Sequence, residues 1–242
     1  MRPISQLKLR EKKVIIFDMD GTLIDSAGIW NKIIAELIKH HSGQEIDLQM
    51  LEKEREDFIE NFGGANVYKA YSAFLVNKYK LDVSIENAWK TFKQSLPEMI
   101  DNLRFQPFSA EFLAKLKARG FKLALATNNV DAVFEALQKN KNMHINNASF
   151  DKIFDLIVSS GDVEYIKPAP DIYLLVLEKF KTSPEECLVF EDLLEGVRAA
   201  KAAGIEVVNA PNPRADKDRA EIDKLADYKF DSYKELLCLD LL

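Results

Sequence analysis

Short apolar runs recur along the chain, separated by longer stretches whose apolar residues fall at helical spacing. The runs are Val14–Phe17, Lys122–Ala126, 156–160, 188–190 and Glu206–Asn209. Their near-continuous apolarity, rather than strict alternation, predicts strands buried on both faces of a parallel sheet. A helix is predicted over 132–138, between the second and third runs, and another over 172–179, between the third and fourth. An Ala-rich helix over 195–203, ended by Gly204, separates the fourth and fifth. A sixth short strand is expected near 228–230, followed by a C-terminal helix. Alternating strand and helix predicts an α/β fold with a Rossmann-like parallel-sheet core and helices on both faces.

Roughly a hundred residues separate the first two strands, too many for one crossover. The pattern between them is helical, clearest over 29–38, 67–76 and 85–96, the last carrying Trp89 and Phe92 on one side. The expectation is an inserted all-α domain over 26–105, with a core domain formed by 1–25 and 106–242. Hinges should fall near 25–26 and 104–107. Trp30 and Trp89, large aromatics at helical spacing, are expected inside the insertion's own core. Residues 139–149, rich in Asn and Lys, read as a solvated surface loop.

Composition narrows the function. A chain of 242 residues is long enough for a core domain and a smaller second one. Hydrophobic content of 47% and charged content of 30% are those of a soluble globular protein. A formal net charge of −6 and a pI near 5.3 argue against a nucleic-acid binder, which shows a basic face. No run approaches the ~18 apolar residues of a membrane span. Cys187 and Cys238 are too few and too scattered for a disulfide framework or a zinc site. Residues 1–13 are basic but carry no apolar segment of the secretory kind. A cytoplasmic monomer, with neither nucleic acid nor membrane as partner, is therefore expected.

The candidate chemistry lies at the strand ends. The first strand runs into Asp18 and Asp20, two residues apart, with Gly21 behind them. In an extended segment such side chains point the same way. Two carboxylates so placed repel unless a cation, a proton or a partner relieves them. The second strand ends in Thr127-Asn128-Asn129, the third in Ser159-Ser160-Gly161-Asp162, the fourth in Glu191-Asp192. Ligands of open α/β sheets bind outside these carboxyl ends. Lys167, in Lys167-Pro168-Ala169-Pro170-Asp171, adds the one cation. Carboxylates with oxygen donors suit Mg²⁺, and a Lys and a Thr beside it make a phosphate site. Taken singly, Thr127 also has a reading as a helix N-cap, Lys167 as a solvated lysine and Glu191-Asp192 as a capping pair. Their ordered occurrence at successive strand ends is what points to a site.

These residues resemble the haloacid dehalogenase-like superfamily of Mg²⁺-dependent phosphotransferases. Its four motifs match, in order, Asp18-Met19-Asp20-Gly21-Thr22, Thr127-Asn128-Asn129, Lys167-Pro168 and Phe190-Glu191-Asp192. The helical insertion resembles the cap of the β-phosphoglucomutase and sugar-phosphatase branch. The resemblance implies that Asp18 is the nucleophile and Asp20 the general acid and base. It implies that Thr127 and Asn128 hold the phosphoryl oxygens and that Lys167 neutralises charge. Mg²⁺ would be held by Asp18, Asp192 and the backbone carbonyl of Asp20, with Glu191 assisting. Gly63 and Gly64, in the cap segment 62–68, are expected to face the substrate.

The implied activity is hydrolysis of a small phosphorylated metabolite, a sugar phosphate for preference. Haloacid dehalogenases lack the second Asp of the first motif, and phosphonate hydrolases replace it with a small residue; Asp20 disfavours both. A phosphomutase is the enzymatic alternative. The mutases carry a His where this chain has Trp30, and a cap-loop Arg near Gly63-Gly64-Ala65-Asn66. The absence of both favours a hydrolase. The usual Ser after the fourth-motif Asp is Leu193 here. A non-catalytic binding module is the alternative of another class; no catalytic carboxylate is missing to support it.

Overall fold

The computed structural model describes residues 1–26, 28–62 and 67–238. Seven strands, β1 (Arg2–Pro3), β2 (Val14–Phe17), β3 (Lys122–Ala126), β4 (Leu156–Val158), β5 (Cys187–Glu191), β6 (Glu206–Asn209) and β7 (Tyr228–Lys229), form one sheet. Its order is β1-β7-β6-β5-β2-β3-β4, and every neighbouring pair is parallel. Successive residues of the central strands go to opposite faces, as the pleat requires. Ile15 and Phe17 join one buried cluster with Leu123, Leu125, Leu188 and Phe190. Val14 and Ile16 join another with Ala124, Ala126, Cys187 and Val189. Helices α5 (Ser109–Ala118), α6 (Asp131–Leu137), α7 (Phe150–Ile153) and α11 (Tyr233–Leu237) cover the first face. Helices α8 (Asp171–Phe180), α9 (Leu194–Ala202) and α10 (Arg219–Leu225) cover the second.

The chain builds β3 and β4 on one side of β2, then β5, β6 and β7 on the other. Connections therefore diverge at β2, and the crevice at such a switch point is where ligands bind. Phe17 pairs with both Leu125 and Phe190, so three strands deliver the residues that follow them to one place.

Between β2 and α5 lie α1 (Ile29–Ser42), α2 (Leu48–Phe62), α3 (Val67–Tyr79) and α4 (Ile85–Ile100). Two of these helix ends have a clear local cause. Gly43, at φ +70°, closes α1 with its N–H on the Lys39 carbonyl. Ser84 caps α4 by accepting from the Asn87 N–H at 3.2 Å. Helices α1, α2 and α3 share a cluster of their own, including Ile34, Ile38, Leu51, Tyr71 and Leu75. The two connecting segments pair with each other: Ile24 bridges Phe105, Asp25 N–H donates to the Arg104 carbonyl at 3.0 Å, and Gln106 N–H to that of Leu23 at 2.8 Å.

Several elements differ from the sequence reading. Strand β1 is too short to show any periodicity. It is held by the Arg2 guanidinium, 4.1 Å above the Tyr228 ring and 3.0 Å from Glu206. Charge-rich α2 and helix α5 were not singled out by the pattern. Residues 139–149 are not merely solvated: Asn140 and Met143 are buried, and Asn140 Nδ2 donates to the Ile100 carbonyl at 2.7 Å. That loop thus braces the end of α4. The insertion is also continuous with the core, since Ile33, Leu96 and Ile100 share a cluster with Val133, Phe134 and Leu137 of α6. Two ion pairs add a bridge at the surface, Lys217 to Glu56 at 2.6 Å and Arg214 to Glu52 at 3.4 Å. No described helix is long and apolar enough to cross a membrane.

Phe112 supports the strands that carry the site. It is fully buried and meets Phe17 and Phe190 edge-on, at centroid separations of 6.3 and 5.7 Å. Phe112→Ala is expected to destabilise the protein by about 3–5 kcal/mol. The check is the midpoint of chemical denaturation; a midpoint matching wild type contradicts the packing described.

Candidate active site

Asp18 extends the β2–β5 ladder by one residue, its N–H donating to the Phe190 carbonyl at 3.0 Å. This sets its carboxylate beside those of Glu191 and Asp192 at the end of β5. Each of the three offers an oxygen, and these oxygens all lie within 4.8 Å of one another. Asp192 is oriented by Thr22, whose hydroxyl donates to Oδ1 at 2.9 Å, and by Asn212, whose amide donates to Oδ2. Two glycines make room. A Cβ on Gly21, already at φ +86°, would stand 2.2 Å from Asp192 Oδ2; one on Gly196 would stand 2.0 Å from the Glu191 carboxylate. Only glycine fits either place.

The cation of this cluster is Lys167, which is 3% exposed. Its ammonium donates to Asp18 Oδ1 at 2.7 Å, Glu191 Oε1 at 2.6 Å and the Ala126 carbonyl at 2.8 Å. All three donors of the ammonium are thereby used. Tyr173 donates to the same Glu191 oxygen at 2.5 Å. Burial by itself would lower the Lys167 pKa, but the charges of Asp18 and Glu191 outweigh it and hold the ammonium above its ordinary range. Burial pushes Glu191 up to about 8, against the pull of Lys167. Burial, then the charge of Asp18, pushes Asp192 up to about 7. Three buried carboxylates facing one ammonium leave an excess of negative charge in a low dielectric. The donor set is all hard oxygen, which fits a divalent cation of the Mg²⁺ type.

Asp20 shares the cavity with Asp18 but faces other partners. Trp30 Nε1 donates to Oδ1 at 3.0 Å, and Asn129 Nδ2 donates to Oδ2. Burial raises its pKa and the charge of Asp18 adds to this, against the opposing pull of the Trp30 hydrogen bond. Its side chain is therefore separate from the three-carboxylate cluster. Thr127, 2% exposed, accepts the Asn129 N–H at 3.2 Å. Asn128 clasps the Lys167 backbone, accepting its N–H at 3.0 Å and donating to its carbonyl at 3.3 Å. The Asn128 side chain thus positions Lys167 rather than reaching into open space.

Asp18, Asp20, Thr127, Asn128, Lys167, Glu191 and Asp192 line one cavity of about 330 Å³, so the sequence motifs do converge. Gly63 and Gly64 lie outside the described residues. Trp30 does not belong only to the insertion's interior: its indole N–H reaches Asp20, and both Trp30 and Trp89 line the cavity. The insertion also supplies a cation that sequence reasoning missed, Arg55 of α2, whose Nε donates to Asn31 at 3.1 Å. Asn212 and Tyr173 were missed as well; neither sits in a motif, and only the fold brings them to Asp192 and Glu191. Leu193, where a serine would cap α9, makes no capping bond and packs on the second sheet face.

A model of haloacid dehalogenase-like hydrolases matches residues 12–204, and the chain belongs to that family. Among curated relatives, the phosphorylated carbohydrates phosphatase of Thermotoga maritima is 31% identical over 80% of this chain and 82% of its own. Protein CbbY of Rhodobacter capsulatus is 30% identical over 84% and 86%. The solved structure of CbbY from Rhodobacter sphaeroides in complex with phosphate superposes with a TM-score of 0.74 at 28% identity, covering 93% of this chain and 96% of that one. A mutant of that protein has been solved with xylulose-(1,5)bisphosphate.

Gly196→Ala is expected to displace the Glu191 carboxylate and cost about 1–3 kcal/mol by overpacking. Thermal denaturation checks it, and a variant as stable as wild type contradicts the fit of α9 against Glu191.

Proposed function

We propose that the protein is a Mg²⁺-dependent phosphatase that hydrolyses a small phosphorylated metabolite, of the sugar-phosphate class, through a phosphoryl group carried on Asp18. The carrying observation is the Lys167 ammonium shared between Asp18 and Glu191 at the sheet's switch point, with Asp192 completing a cation site. Asp18 and Asp192 would hold Mg²⁺, which would supply positive charge to the phosphoryl oxygens. Lys167 keeps the Asp18 oxygen it holds in place for in-line attack and adds a second positive charge. Thr127, which follows β3 and lines the cavity, would donate its hydroxyl to a phosphoryl oxygen. Glu191 anchors Lys167, since one of its oxygens already takes both Lys167 and Tyr173.

Asp20 is the acid and base. Its buried position favours the protonated form, in which it delivers a proton to the leaving oxygen; the resulting carboxylate then takes a proton from the attacking water. Trp30 and Asn129 fix its orientation for both steps. In this reading residues 26–105 act as a cap that closes over the cavity and excludes bulk water, with the paired segments around Ile24 and Phe105 as its hinge.

Two outcomes are expected. Asp18→Asn abolishes phosphate release from sugar phosphates while far-UV circular dichroism stays native; turnover at the wild-type rate sinks the covalent role. Asp192→Asn weakens Mg²⁺ binding by at least about tenfold in calorimetric titration, as loss of a charged ligand predicts. An unchanged affinity removes Asp192 from the metal site. Conversion of a hexose 1-phosphate to its isomer without phosphate release would instead establish the phosphomutase alternative.

A further inference from the structure

Beyond Lys167, the cavity wall carries four cations, and three of them are already matched by acids. Arg198 makes two bonds to one Glu221 oxygen, at 3.0 and 2.7 Å. Lys217 meets Glu56 at 2.6 Å. Arg214 meets Glu52 at 3.4 Å and faces the charges of Asp20 and Asp192, which it holds toward the ionised form. The fourth cation, Arg55, is held through Nε by a neutral partner, Asn31.

Glu195, in the first turn of α9, is the acid this pairing leaves over. It lines the cavity, and among the described residues its carboxylate has neither a hydrogen-bond nor an ion-pair partner. Burial raises its pKa; the charges of Lys167 and Arg55 pull it down, and those of Glu56 and Asp18 push it up. The carboxylate thus feels both the ammonium of the core and the guanidinium of the insertion, yet bonds to neither.

A carboxylate removed from bulk water needs a donor, and a hydroxyl of the leaving group supplies one. A second phosphate brings nearly two further negative charges and needs a surplus of cations. The wall offers no surplus: Arg55 is offset by Glu195, and Asp218 adds another acid. We propose that Glu195 sets the specificity of this site by charge. It accepts a hydrogen bond from an uncharged, hydroxylated leaving group and turns away one that carries a second phosphate. Selection of this kind works by repelling the wrong ligand as much as by holding the right one. This rests on the phosphatase reading above and names a residue that chooses among its substrates.

The test uses matched pairs that differ by one phosphate: fructose 1-phosphate with fructose 1,6-bisphosphate, and ribulose 5-phosphate with ribulose 1,5-bisphosphate. Mg²⁺-dependent phosphate release gives kcat/KM for each, and a compound that is not turned over is measured as a competitor of acetyl phosphate hydrolysis. The expected wild-type result favours the monophosphate of a pair by at least about tenfold, the scale of a like charge set against a carboxylate. Glu195→Gln, which keeps the shape and removes the charge, should shrink that ratio at least about fivefold, and Glu195→Lys should reverse it. A structural role in the first turn of α9 would leave the ratio where it was, so an unchanged ratio in both variants overturns the assignment. A wild type that takes the bisphosphates equally well, or that neither hydrolyses nor is inhibited by any member of the pairs, overturns it too. Hydrolysis of acetyl phosphate by the same wild-type preparation then shows that the phosphatase reading survives, whereas failure on acetyl phosphate as well removes both together.

Discussion

One buried ammonium organises this molecule's chemistry. Lys167 sits between Asp18 at the end of β2, Glu191 at the end of β5 and the Ala126 carbonyl at the end of β3. It therefore joins the three central strands at their carboxyl ends. An unpaired ammonium here would be expelled or neutralised, and the carboxylates without it would take up protons. The surrounding fold serves this contact. Asn128 fixes the backbone of Lys167, Tyr173 shares Glu191 with it, and Gly196 leaves the space that Glu191 fills. Even so, one ammonium does not balance Asp18, Glu191 and Asp192. The remaining negative charge is what fits the site to a divalent cation.

The second organising contact joins the insertion to the core. Trp30 belongs to α1 of the insertion, yet its indole N–H holds Asp20 of the core. The Asp20 carboxylate is thereby oriented by a helix of the inserted segment. The base of α4 packs on α6, the 139–149 loop holds the Ile100 carbonyl, and two surface ion pairs link α2 to residues 214 and 217. The apolar contact and the buried Asn140 bond give this arrangement its strength. Exposed ion pairs such as Lys217 with Glu56 add at most about 1 kcal/mol each and weaken with salt.

Much of the fold was legible because its signals were strong and local. The apolar runs of β2, β3 and β6 carry their own boundaries, and Gly204 ends the helix before β6. The convergence of the candidate residues was legible because a parallel sheet delivers its strand ends to one edge, and Asp18, Thr127 and Asp192 directly follow β2, β3 and β5. What stayed hidden depends on distance in sequence. Tyr173 meets Glu191 across a helix and a strand, and Asn212 meets Asp192 from a loop 20 residues away. Trp30 has the spacing of a core aromatic, and nothing in that spacing shows its N–H turning to a carboxylate. Arg55 lies in a helix dense with charge, where one cation facing inward is indistinguishable from its solvated neighbours.

The claim on which the account stands is that Asp18 takes the phosphoryl group while Lys167 and a divalent cation hold its charge. Rapid acid quench during a single turnover, followed by mass spectrometry of the peptide containing Asp18, tests it directly. The account predicts a phosphoryl adduct on Asp18 that forms only with Mg²⁺ and decays as free phosphate appears. Phosphate release at full rate with that peptide unmodified throughout the turnover would contradict it.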